Sequence, residues 1–184
     1  MPNRQNRCIR TNKPQEILAI RRPKSGLKIM VAGGISRYGK SELVIVDEKQ
    51  TVNGECYRNK ILPSYLSSMK NKAQFPCQEQ VIFMQDGAPA HTAKLTMENL
   101  KLHVPTVWAD WPGSSPDLNP VEHIWARLQD SVLRAPHPRN RQDLITRVKE
   151  EWLSVTQEEL RDLIESFSKR CLECLDKIGN STHY

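Results

Sequence analysis

Residues 81–92 read VIFMQDGAPAHT, and residues 111–125 read WPGSSPDLNPVEHIW. The first opens with five residues, Val81 to Gln85, of the compact apolar kind that forms a buried strand. Gly87 and Pro89 end it. Asp86 therefore sits one residue past a strand, on backbone that a sheet would hold still. A carboxylate on so rigid a support suits a hard cation. Asp-Gly after a strand is equally ordinary turn chemistry. In the second stretch Asn119 fits an N-cap, Pro120 the first helical position and Glu122 the third, an Asn version of the capping box. Val121, Ile124, Trp125, Leu128 and Val132 then recur at helical spacing. Glu122 lies beside that stripe, on an edge shared with Ala126 and Gln129, from which an acid reaches toward the sheet end holding Asp86.

Outward from these stretches the chain alternates strand and helix signals. Residues 27–36 and 42–47 are apolar runs joined by Tyr38-Gly39-Lys40, which predicts a β-hairpin. Asn53 caps a helix carrying Tyr57, Ile61, Leu62, Leu66 and Met69, which Pro63 is expected to bend or break. A helix is expected from Pro89 to Leu102 and a strand over residues 104–109. Asn140 with Asp143 opens one late helix, and Thr156 with Glu159 forms a capping box for the last. That helix places Leu160, Leu163, Ile164, Phe167, Cys171 and Leu175 on one face, and Gly179 stops it. The expected order is β-β-α-β-α-β-α-α-α, with no repeat and no low-complexity tract.

The 184 residues suit one domain, and no stretch approaches the length of a membrane span. The N-terminus has no apolar signal region, and the five cysteines read as reduced thiols of an intracellular protein. Charge is concentrated: residues 1–28 hold eight basic residues against Glu16, a net +7, which leaves the other 156 residues at −1. Arg4, Arg7, Arg10, Arg21, Arg22 and Lys24 form an arm, residues 1–26, suited to a phosphate backbone. A solubilising tail carries the same charge.

Taken together, the two stretches resemble the catalytic domain of Tc/mariner-type DDE transposases. GGISRYGKSELVIV within residues 29–46 and the closing LIESFSKRCLECLDKIGNSTHY extend the resemblance over about residues 27–184. It implies a ribonuclease H-like α/β fold, a five-stranded mixed sheet flanked by helices. It also implies two Mg²⁺ or Mn²⁺ ions on three carboxylates, and phosphodiester hydrolysis followed by strand transfer on DNA. By position Asp86 is the second acid and Glu122 the third, with 35 residues between them. His91 and His123, beside the two acids, are expected to contact phosphate or a metal-bound water, or to be plain helix-end polar residues. A nuclear location, DNA as partner, and a homodimer or pairing with an intact transposase follow from the same resemblance.

The family's first acid stands on a strand upstream of the hairpin. Only Glu16 stands there, and Asp47-Glu48 follows a later strand where the family has no ligand. The expectation is an incomplete domain with its first strand missing and little strand-transfer activity alone. A non-catalytic remnant, or a domesticated nucleic-acid-binding protein, is the alternative. Cys171 and Cys174 lack the second pair a zinc site needs. Trp108, Trp111, Trp125 and Trp152 read as core or loop anchors.

Overall fold

The computed structural model describes residues 27–47, 50–71, 78–108, 110–112, 115–179 and 182. Arg4, Arg7, Arg10, Glu16, Arg21, Arg22, Lys24 and Glu48 lie outside them. The expected hairpin forms. Strand β1 (Met30–Ala32) runs antiparallel to β4 (Val44–Val46), with Met30 opposite Val46, and the short β2 (Ile35–Ser36) and β3 (Gly39–Lys40) close its tip. Strand β5 (Ile82–Met84) runs parallel to β6 (Thr106–Trp108), with Phe83 opposite Val107.

The hairpin separates two cores, as the two-residue period of a strand requires. Ala32, Val44 and Val46 pack with Tyr57, Ile61, Leu62, Leu100 and Val104. Ile29, Val31, Ile35 and Leu43 pack with Ile124, Leu128, Leu144, Val148, Trp152, Val155 and Leu160. The first core is closed by α1 (Gly54–Cys56), a π-helical turn Tyr57–Ile61, α2 (Leu62–Lys70), α3 (Pro89–Thr92) and α4 (Lys94–His103). The second is closed by α5 (Val121–Leu133), α6 (Arg141–Ser154) and α7 (Gln157–Asp176). Helices thus pack on both faces of the hairpin, and antiparallel and parallel strand pairs occur together, the expected α/β class.

Local signals act where they were read. The side chains of Asn53, Asn140 and Thr156 accept from the backbone N–H groups of Cys56, Asp143 and Glu159. Each such cap is worth about 1 kcal/mol. Pro63 fits at the start of α2, and the irregularity falls earlier, in the π turn. The helix expected over Pro89–Leu102 is two helices, because Ala93 adopts φ −54°, ψ 135° between them.

Gly33 sets the spacing of the second core. A Cβ there would lie 2.7 Å from the Trp152 ring, which stacks on Trp125 at 5.4 Å and donates from Nε1 to the Ser41 carbonyl. Only a residue without a side chain lets the strand pass this close.

Among the described residues the strands form three two-stranded pieces, and no ladder joins β1 to β5. A cleft of about 850 Å³ opens between them, lined by Met30–Ala32 on one side and Ile82–Met84 on the other. This differs from the continuous five-stranded sheet of the sequence reading. Ile82, expected in a buried strand, is 62% exposed, because its flank faces this cleft.

Candidate active site

Both carboxylates singled out in the sequence line that cleft. They arrive on different elements: Asp86 two residues beyond β5, and Glu122 in the first turn of α5. Asp86 is held at one oxygen. Its Oδ1 accepts from the Ala88 N–H at 3.1 Å and lies 2.6 Å from His91 Nδ1. Its side chain is 59% exposed. So the turn reading of Asp86 is realised, on a cleft that Glu122 also lines.

Glu122 is half-buried on the cleft wall beside Trp125. Before it, Asn119 Oδ1 takes the Val121 N–H at 3.4 Å, and Pro120, expected at the first helical position, is instead the N-cap, with helical dihedrals. The loop leading in is tied to α7. Arg170, only 1% exposed, donates to the Asp117 carbonyl at 2.8 Å, and Asp117 Oδ2 accepts from the Thr182 N–H at 2.7 Å.

His91 joins the site and His123 does not. The His91 ring packs on Tyr57 with centroids 4.4 Å apart. His123 is exposed and is not among the cleft-lining residues, and burial, then the Arg170 charge, lowers its pKa. Asp47 is ion-paired with Lys60 at 3.2 Å and is likewise not among the lining residues. Cys171 and Cys174 are free thiols, and among the described residues no cluster of three or more His, Cys, Asp or Glu side chains is placed to hold a metal.

Sequence reasoning missed three features. Arg170 sits within an apolar face and reads as surface until the fold closes over it. Arg127 ties α5 to the ends of α6 and α7, 2.6 Å from both Glu151 and Glu159, and those two partners raise its pKa. A smaller hollow of about 220 Å³ beside Asp86 is lined by Gln85, Thr92, Met97, Trp108 and Trp111. Trp108 and Trp111 there pack on Phe167 of α7.

Paired strands between two helical layers, with two carboxylates lining one cleft, define an α/β domain class rather than one protein. The family model described as DDE superfamily endonuclease matches residues 6–145, and the chain belongs to that family. The match begins inside the basic segment. The chain is similar to the transposable element Tc3 transposase of Caenorhabditis elegans, 29% identical over 172 residues, covering 89% of this chain and 48% of that protein. It is 29% identical over 119 residues to the transposable element Tcb2 transposase of Caenorhabditis briggsae, covering 64% of this chain and 42% of that one. The chain thus spans about half the length of the curated relatives it matches.

Among solved structures, the catalytic domain of Mos1 mariner transposase superposes with a TM-score of 0.72 at 20% identity, over 84% of this chain and 76% of that one. A pre-cleavage Mos1 transpososome gives 0.75 at 20% identity, over 95% and 51%. The fold is therefore that of the mariner catalytic domain. A further Mos1 catalytic-domain structure, with a TM-score of 0.73, carries Mn.

Proposed function

We propose that the chain is the catalytic domain of a transposase that cleaves and joins DNA strands, with Asp86 and Glu122 holding a divalent cation, Mg²⁺ or Mn²⁺. The observation that carries this is that both acids line one cleft, Asp86 from the segment after β5 and Glu122 from the first turn of α5. The donor chemistry suits such a cation: Mg²⁺ is commonly bound by one or two carboxylates, with water and substrate phosphate completing its shell. When bound, the cation supplies Lewis-acid polarisation of a phosphodiester. The residues do the positioning. His91 and the Ala88 N–H fix Asp86 at Oδ1, and the Arg170–Asp117 contact fixes the loop before Glu122. Arg4, Arg7, Arg10, Arg21, Arg22 and Lys24 supply phosphate-backbone affinity, which falls with salt. The Mos1 neighbours solved as paired-end complexes, one with a left transposon end, support transposon-end DNA as a partner.

The test is Mn²⁺ binding by calorimetry. Binding to the parent, lost in both Asp86→Asn and Glu122→Gln, supports the site; binding unchanged in either removes that residue from it. A second reading, a non-catalytic DNA-binding relative that pairs with an intact transposase, is favoured by one observation. Among the described residues no third carboxylate joins the two. Mn²⁺-dependent plasmid nicking above the level of Glu122→Gln separates the readings: its presence supports the enzyme, its absence with retained DNA binding the non-catalytic form.

A further inference from the structure

The Asp86 carboxylate is mostly exposed, yet its conformation is fixed by a closed circuit of side chains. Its Oδ1 lies 2.6 Å from His91 Nδ1. The His91 ring lies against the Tyr57 ring at 4.4 Å and 47°. The Tyr57 hydroxyl donates to Gln85 Oε1 at 2.9 Å, and Gln85 Nε2 donates to the His91 carbonyl at 3.1 Å. Gln85 is the chain neighbour of Asp86, so the circuit returns to the residue it began from. Tyr57 anchors it: the residue is 2% exposed and begins the π turn. Such turns recur at functional sites.

The surroundings hold Tyr57 against α3. A Cβ on Gly54 would lie 3.2 Å from Ala93 Cβ, so α1 approaches α3–α4 closely because that residue is glycine. Thr96 Oγ1 donates to the Ala90 carbonyl at 3.0 Å and accepts from Arg58 at 3.3 Å. Thr96 of α4 thereby links Arg58 of the π turn to Ala90 of α3.

We propose that Tyr57 is a positioning residue for Asp86, acting through His91 by two routes: ring contact, and the hydroxyl–Gln85–His91 carbonyl path. The circuit engages Oδ1 and leaves Oδ2 with no hydrogen bond among the described residues, so one carboxylate oxygen is presented in one orientation. The role of that oxygen rests on the reading of Asp86 as a cation ligand; the positioning does not. Groups behind a ligand typically change metal affinity 10- to 100-fold when removed.

The deciding readout is metal-free: Asp86 Hβ coupling constants by NMR on the full chain. The parent is expected to show one χ1 rotamer. Tyr57→Phe, which keeps the ring and removes the hydroxyl, shows partial averaging, and His91→Ala shows full averaging. His91→Asn, whose amide nitrogen replaces Nδ1, restores one rotamer. In the His91→Ala background Tyr57→Phe has no further effect. Mn²⁺ affinity measured on the same variants is expected to fall about tenfold in His91→Ala. A single Asp86 rotamer in both Tyr57→Phe and Tyr57→Leu, or a Tyr57→Phe effect undiminished in the His91→Ala background, overturns the proposal. Ordered Asp86 in the parent, averaging in the variants and no Mn²⁺ binding in any of them would support the positioning and remove the cation-site reading.

Discussion

Arg170 on α7 donates from Nη1 to the main-chain oxygen of Asp117, 53 positions earlier, while its Nε donates to Ser166 Oγ at 2.9 Å. A guanidinium only 1% exposed thereby fastens the loop that leads into α5 and Glu122. Burying a cation is costly unless its donors are used, and removing it leaves the Asp117 carbonyl without this donor. Arg170→Met is therefore expected to lower unfolding free energy by about 2 kcal/mol. Arg170→Lys, which lacks the planar fork, falls between. Urea denaturation measures both, and a Met variant as stable as the parent would show that the clamp contributes nothing.

Gly33 makes a second, purely steric prediction. Its missing Cβ is replaced by the Trp152 ring, with the Trp125 ring a further contact at 3.3 Å. Gly33→Ala forces the strand or the stacked pair to move, at a cost of about 1–3 kcal/mol. The near-ultraviolet circular dichroism of the tryptophan pair is expected to change with the melting temperature. Gly87, where nothing lies within 4 Å of a Cβ, is the control position at which alanine meets no steric obstacle.

What was legible in the sequence was what neighbouring residues decide. Asn53, Asn140 and Thr156 cap helices because a cap involves residues three apart. The hairpin was readable because its turn lies between its strands. The two acids were readable only jointly, from two motifs whose spacing resembles a known family. The remainder depends on distant partners. Leu175, placed on the buried face by its spacing, is 73% exposed, because the packing of α7 ends before it, while Arg170 on the same helix is covered by the Asp117 loop. The link between His91 and Asp86 spans five residues and lies in α3, a single turn that ends where Ala93 breaks the helix. No periodicity announces that break.

Alkaline pH should unfold the first core. Burial raises the phenol pKa of both Tyr57 and Tyr65, and the Asp86 charge adds to it in each. A phenol held above its unfolded value of 10.0 contributes stability that is whole below that pH and lost as pH rises beyond it, because the unfolded chain releases the proton more readily. The melting temperature is expected to fall above about pH 10, with Tyr57 and Tyr65 ionising together with unfolding. Tyr65→Phe should make the fall shallower. Tyrosinate absorbance followed alongside circular dichroism checks this; ionisation of both phenols in the folded protein would contradict it.

The cleft flanks make the last prediction. Met30 is 53% and Ile82 62% exposed, and each belongs to a strand that pairs on one side only among the described residues. Unpaired backbone beside exposed apolar side chains is a template for adding another strand, and natural edges are commonly blocked by lysine. Ile82→Lys is therefore expected to reduce concentration-dependent association, read by light scattering, and binding of an apolar dye. Its effect on unfolding free energy should stay within about 0.5 kcal/mol, as for other exposed positions. Ile82 lines the same cleft as Asp86, so a lysine there also brings a positive charge toward the acids. Ile82→Thr, which shortens the apolar flank without adding charge, separates the two effects. If both variants associate as the parent does, strand addition at β5 is not the cause of association.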